Sequence, residues 1–422
     1  MTMKKTEVLR CDEILVALDA AYTIVGNFNL GIPYIRMEFD AQIQQILRHD
    51  ARVRDVERAY CATFLHEYIH FLQSVLFRSC QLQAIVWQNL IFDIHETAMQ
   101  HKGCGNMTLL PLSFSDDTVG WTQRTNAVFN HSLNVRLANG LDHKFGIVDV
   151  AEGIARILEE QYLGKRICES QPPYTTIHDI NLQIFGHDNK LSNAELLDVA
   201  EVALSYEYPD EMFLRLCNEI KKAGVRGDGF YKNIEALAKA CGHAQESSFA
   251  GVIAKNVRGL FTSNIFSGYS ETMQRLYGDI PKLLRAKPLF SVLYKQLGSD
   301  DGNGMPECIL QIIHDWGDCT PLIVNKQGEL EQFSRTPNYY YEQHALVIES
   351  VIRCIAARQW GTEYEGCSMI KSCQNACSMG IYLPVNDICK SDPWVKKLVK
   401  KDFCCPFGAV RRAFGLEDLL LC

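Results

Sequence analysis

Apolar residues along this chain fall into two regimes. Between residues 14 and 40 they come in short runs, ILVAL, AYTIV and YIRMEF, punctuated by Gly26, Asn27, Gly31 and Pro33. That pattern predicts two or three strands with turns, the one convincing β region of the chain. From about residue 41 the spacing turns helical. Residues 52–80 read as one long helix and 82–101 as a second or its continuation, while 102–120 read as a polar connection. Residues 147–164 predict a helix with an apolar stripe at Val150, Ile154, Ile157, Leu158 and Tyr162. The stretch 165–190, with Pro172 and Pro173, reads as a loop. Helical patterns resume at 192–205, 210–223, 231–242 and 270–296, and again at 340–360.

The expected fold is therefore mainly α (α+β): a small N-terminal sheet against the first long helix, followed by an extended helical region. Three segments are expected: a core at 1–190, a helical region at 191–339 and a cysteine-rich helical tail at 340–422.

The formal charge of −8 removes the basic surface that nucleic-acid binding needs. No run reaches the ~18 apolar residues of a membrane span, and MTMKKTEVLRCDE lacks the apolar core of a signal peptide. A cytoplasmic protein with neither nucleic-acid nor membrane partners is expected. Its thiols are then reduced by default. Cys367, Cys373, Cys377, Cys389, Cys404 and Cys405 crowd the tail, but no C-x-x-C pair is among them, so they read as packing thiols rather than a zinc ribbon.

One segment carries chemistry: His66-Glu67-Tyr68-Ile69-His70. Residues four apart on a helix share a face, so His66 and His70 can present both imidazoles to one metal. Glu67, rotated by roughly 100°, is placed to act as a base on water. Random placement at this composition yields only roughly 0.02 such matches per chain. The flanking Phe64, Leu65, Phe71, Leu72, Val75 and Leu76 make the helix apolar on nearly all sides, hence buried, and buried histidines and glutamates need partners. A metal supplies them.

The third ligand is sought in a later helix, since Gln73 and Leu76 exclude the metzincin pattern. Glu152, followed by Gly153 and flanked by Ala151 and Ala155, is the best candidate, with Glu96 and then His143 behind it. Small residues there are expected to let its helix approach the HEYIH helix closely. Gln73 shares the histidine face and suits a supporting contact.

HEYIH followed by EGIA resembles the gluzincin branch of the zincin metallopeptidases. The resemblance covers these two helices only, and the connection from His70 to Glu152 is longer than is usual in that family. It implies Zn2+ held by His66, His70 and Glu152, Glu67 as catalytic base, and a protein or peptide substrate. It also implies a tyrosine or histidine that donates to the oxyanion, for which Tyr162, His143 and the stretch Tyr339–His344 are candidates. Two other readings stay open. One is a non-haem iron oxidase, which uses two histidines and a carboxylate, and the other is a partner-regulated interaction protein with a metal site.

Overall fold

The structure is a computed structural model. It describes residues 26–28, 34–37, 55–100, 114–167, 171–241, 273–279, 288–298, 311, 313–314, 321–325, 329–332, 340–360, 366–378, 385–395, 405–414 and 416. The protein is mainly helical. Of the expected β region at 14–40, residues 26–28 and 34–37 are described and form β1 (Gly26–Phe28) and β2 (Tyr34–Met37), antiparallel with Asn27 opposite Arg36, while the rest of it lies outside the described residues. The sheet is not purely N-terminal, however. β5 (Leu322–Val324) runs parallel to β2, with Ile35 opposite Ile323, and β6 (Leu330–Gln332) closes the order β1-β2-β5-β6. A second β element, the hairpin of β3 (Ser132–Arg136) and β4 (Asp142–Gly146), was also unexpected.

The first sheet packs against α1 (Asp55–Leu76), the helix that carries HEYIH. α2 (Arg78–Gln100) follows after a break at Phe77 alone, so the long helical stretch divides in two. Backbone bonding runs on through the break: Phe77 N–H donates to Gln73 O at 3.0 Å, and Phe77 O accepts from Gln81 N–H at 3.1 Å. α3 (Asp116–Phe129) takes up part of the expected polar connection. It starts because Ser115 accepts the Thr118 N–H, an N-cap.

α4 (Ile147–Leu163) begins directly from the hairpin, where the Asp149 carboxylate accepts the Gly146 N–H at 2.9 Å. It ends at Gly164, whose φ of +64° closes the helix. The predicted stripe is its buried face, with Val150, Ile154 and Leu158 fully enclosed. The following stretch is not all loop: α5 (Thr176–Phe185) forms there and buries Ile177 and Ile180. α6 (Asn193–Leu204), α7 (Pro209–Ala223) and α8 (Phe230–Ala240) match their sequence patterns closely.

Of the expected helix 270–296, the described parts are residues 273–279, where two α-helical residues run into a π-helix at Arg275–Asp279, and the helix α9 (Leu289–Gly298). α10 (Tyr340–Trp360), α11 (Ile370–Ser378), α12 (Asp387–Ser391) and α13 (Pro406–Ala413) build the tail. One hydrophobic cluster runs through the molecule, from Ile35 and the α1 residues Phe64, Tyr68 and Phe71 to Phe407 and Leu416. Cys367 and Cys373 belong to it, and burial pushes the Cys367 thiol up to about 12, as in an inert packing cysteine. Cys377 lies in the α11 backbone without a described side chain, and Cys404 lies outside the described residues. Among the described residues, no helix is long and apolar enough to cross a membrane.

Candidate metal centre

α1 and α4 pack against each other, and what α4 turns toward α1 is a polar line inside a buried interface. Asp149, Glu152, Arg156 and Glu159 follow one another at steps of three, four and three, the spacing of one helical face. Opposite them, one turn apart, stand His66 and His70.

Three ligand atoms converge. His66 Nε2 lies 3.0 Å from Glu152 Oε2, His70 Nε2 lies 3.3 Å from the same oxygen, and the two Nε2 atoms are 3.2 Å apart. Among the described residues, this is the single group of three or more metal-type ligands in mutual reach. Ligands at the ~2.0–2.1 Å of zinc–nitrogen and zinc–oxygen bonds, placed on a tetrahedron, stand about 3.3 Å from each other. The triangle of donor atoms matches that edge length.

Outer contacts fix the histidines so that Nε2 faces inward. His66 Nδ1 donates to Glu159 Oε2 at 3.2 Å. His70 Nδ1 donates to Gln73 Oε1 at 2.9 Å, and the Gln73 amide in turn donates to Ala151 O on α4 at 3.0 Å. These are the contacts that orient metal-binding imidazoles and set their tautomer. Gln73 thus ties the histidine helix to the backbone of the glutamate helix.

The electrostatics ask for a cation. Burial would pull the His66 and His70 imidazoles down, but Glu152 raises both, joined by Glu159 at His66 and by Glu67 at His70, and both end above the ordinary histidine value. Burial would raise the Glu152 carboxyl, yet the two histidines hold it well below the usual carboxylate range. Glu67, 4% exposed, goes the other way: burial lifts its carboxyl despite the neighbouring histidines. No described residue hydrogen-bonds its carboxylate. Glu67, Glu152 and Glu159 bring three negative charges and Arg156 one positive. With both imidazoles neutral, as metal ligands must be, a divalent ion in place of their two protons would cancel the remaining two, so the donor set and the charge both fit a metal of the zinc type.

Tyr174 completes the surroundings. Its ring centroid lies 6.1 Å from that of His66, and its hydroxyl is buried without a hydrogen-bond partner. Burial first, then the Glu152 charge, raises that hydroxyl far above an ordinary tyrosine, so it stays a neutral donor. Neither Tyr174, Glu159 nor Arg156 stands out in the sequence.

Of the alternative residues, Glu96 is exposed on α2 and outside the cluster. His143 Nε2 is bonded to Asp149 Oδ1 at 2.6 Å, at the start of α4. Tyr162 is buried on α4. Tyr339 lies outside the described residues, and of 340–344 only the helical backbone is described. The role expected for Gly153 needs correcting. A Cβ there would meet Ile177 of α5 at 2.5 Å, so this glycine admits α5 rather than the HEYIH helix.

Comparisons of this chain with protein-family models, with curated proteins and with solved structures give no match.

Proposed function

We propose that this chain is a zinc metallopeptidase of the HExxH type, with the gluzincin ligand arrangement. The observation that carries the reading is the meeting of His66, His70 and Glu152 at tetrahedral spacing, with an unbonded, buried glutamate beside them. Zinc, when bound there, supplies a Lewis acid that activates water and polarises a peptide carbonyl.

The protein's own residues supply the rest. Glu67, with its carboxyl lifted by burial, accepts the proton of the attacking water and hands it on to the departing amine. Tyr174 offers its unspent hydroxyl to the negative oxygen that develops on the carbonyl, a contact worth a few kcal/mol. Glu159 and Gln73 hold the imidazoles in place throughout. The substrate is a protein or peptide.

A non-haem iron oxidase is the second reading, because two histidines and one carboxylate also describe its ligand set. Glu67 argues for hydrolysis, since an oxidase has no use for a base beside its first ligand. Metal analysis of the purified protein, with a peptide-library digest by wild type and Glu67→Gln, separates the two. Stoichiometric zinc, with cleavage lost by at least ~10²-fold in Glu67→Gln, supports the peptidase. Iron in place of zinc, or a fully active Glu67→Gln, overturns it.

A further inference from the structure

Arg156 stands one turn beyond Glu152 on α4, yet a guanidinium is neither a metal ligand nor, at 9% exposure, a surface charge. Its Nη1 donates to Glu159 Oε2 at 3.2 Å, and that same oxygen accepts the His66 Nδ1–H. Its guanidinium carbon, Cζ, lies over the Tyr174 ring, 5.3 Å from the centroid. Its Nε, 3.6 Å from Glu160 Oε1, makes no hydrogen bond.

We propose that Arg156 is the positioning residue of this centre, one guanidinium that sets the His66 imidazole through Glu159 and holds Tyr174 beside it. The proposal rests on the metal-centre reading above.

The argument runs from charge and shape. Glu159 is one of three carboxylates crowded around two imidazoles, and without a counter-charge it would turn away. That change frees the His66 ring to rotate. Arg156 pins Glu159 in the rotamer that accepts from His66. The same guanidinium does a different job at Tyr174: its cation–π contact holds the ring by its face, so the ring is fixed while its hydroxyl stays uncommitted. A hydrogen bond to the hydroxyl would have held the ring equally well and used up the donor. Only arginine combines an edge of donors with a planar face; lysine brings the charge without the plane.

The two arms separate in experiment. Zinc affinity of the full-length protein is measured by competition with a chromophoric chelator, and turnover on a peptide found by library digest. Arg156→Met weakens zinc binding about tenfold or more, the scale of losing an outer contact to a metal ligand. In a Glu159→Gln background the same change adds less than about twofold, because its route to His66 is already cut. Arg156→Lys keeps zinc affinity within about threefold of wild type but lowers kcat with KM little changed, as Tyr174 loses the guanidinium over its ring. Tyr174→Phe leaves zinc affinity alone, and Arg156→Lys then slows it no further.

Circular dichroism identifies any variant that fails to fold. If Arg156→Met does, Arg156→Lys carries the test. Zinc affinity of Arg156→Met within twofold of wild type, or an undiminished effect in Glu159→Gln, overturns the proposal while leaving the peptidase reading intact. Wild type that binds no zinc overturns both.

Discussion

Gly153→Ala is a one-methyl change whose sign the structure decides. Gly153 lies inside α4, where alanine is favoured over glycine by about 1 kcal/mol of helix propensity. Against that stands Ile177, fully buried on α5. The new Cβ would sit 2.5 Å from Ile177 Cδ1, 2.6 Å from Cγ1 and 3.3 Å from Cγ2. Carbon atoms prefer about 3.5–4.0 Å, so Ile177 must retreat by about 1 Å in a packed interior. Overpacking of that kind costs about 1–3 kcal/mol. The clash wins, and the net effect is destabilisation by about 1 kcal/mol. With Ile177→Ala the obstacle is gone, and the same Gly153→Ala change becomes stabilising by about 1 kcal/mol. Urea unfolding of the four proteins, in the presence of a chelator so that metal binding does not enter, reads both numbers. Gly153→Ala that stabilises equally in both backgrounds refutes the reasoning. Since Tyr174 lies two residues ahead of α5, the single variant should also lose turnover beyond its small loss of stability.

Glu152→Ala should weaken zinc binding by more than about a hundredfold, since it removes a ligand and not merely a support, whereas Glu96→Ala should leave it unchanged; isothermal titration reads both, and equal effects would dismiss Glu152 as third ligand. His178 supplies a pH test away from the centre. Burial, then the charges of Arg166 and Lys190, lowers its imidazole to about 4. The unfolded chain takes up that proton near pH 6.5 and the folded chain only near 4, so stability falls as pH drops through this window, by at most about 3 kcal/mol. His178→Gln should flatten that acid limb of the stability profile, and an unchanged slope would show that His178 is solvated.

The candidate ligands were legible because their signal is local and chemically rare. His66, Glu67 and His70 sit within one and a half turns of one helix, and no common packing need produces that triplet. Glu152 was legible through the small residues around it, although the glycine serves α5. The β elements were legible only in part. β5 and β6 are three residues each, too short for any alternation to register, and β5 finds its partner β2 almost three hundred positions away. The hairpin is different, since Asn139-Gly140 between alternating runs is a turn signal that the sequence does carry. α5 was hidden by its neighbours Pro172 and Pro173, which speak for a turn and are silent about the ten residues after it.

What lay beyond the sequence was the second layer of the centre, and the reason is physical. Asp149, Glu152, Arg156 and Glu159 have the spacing of a solvated helical face, opposite an apolar stripe that satisfies every expectation for a core. Charged residues at that spacing mean water in most helices. Here the hairpin and the Tyr174 turn close over one end of the face, with Asp149 accepting from His143 on β4 and from Thr176 at the head of α5. Two histidines from α1 close over the middle. Burial of that face is a property of three other segments, so no periodicity within α4 can report it. Once buried, each charge must find a partner, and the partners compose the site: Glu152 with the histidines, Glu159 with His66 and Arg156, Arg156 with Tyr174. With both imidazoles neutral, Glu67 of α1 together with Glu152 and Glu159 of α4 exceeds the one cation among them, Arg156, by two charges, and that surplus is a physical reason to expect a divalent metal where the three candidate ligand atoms meet.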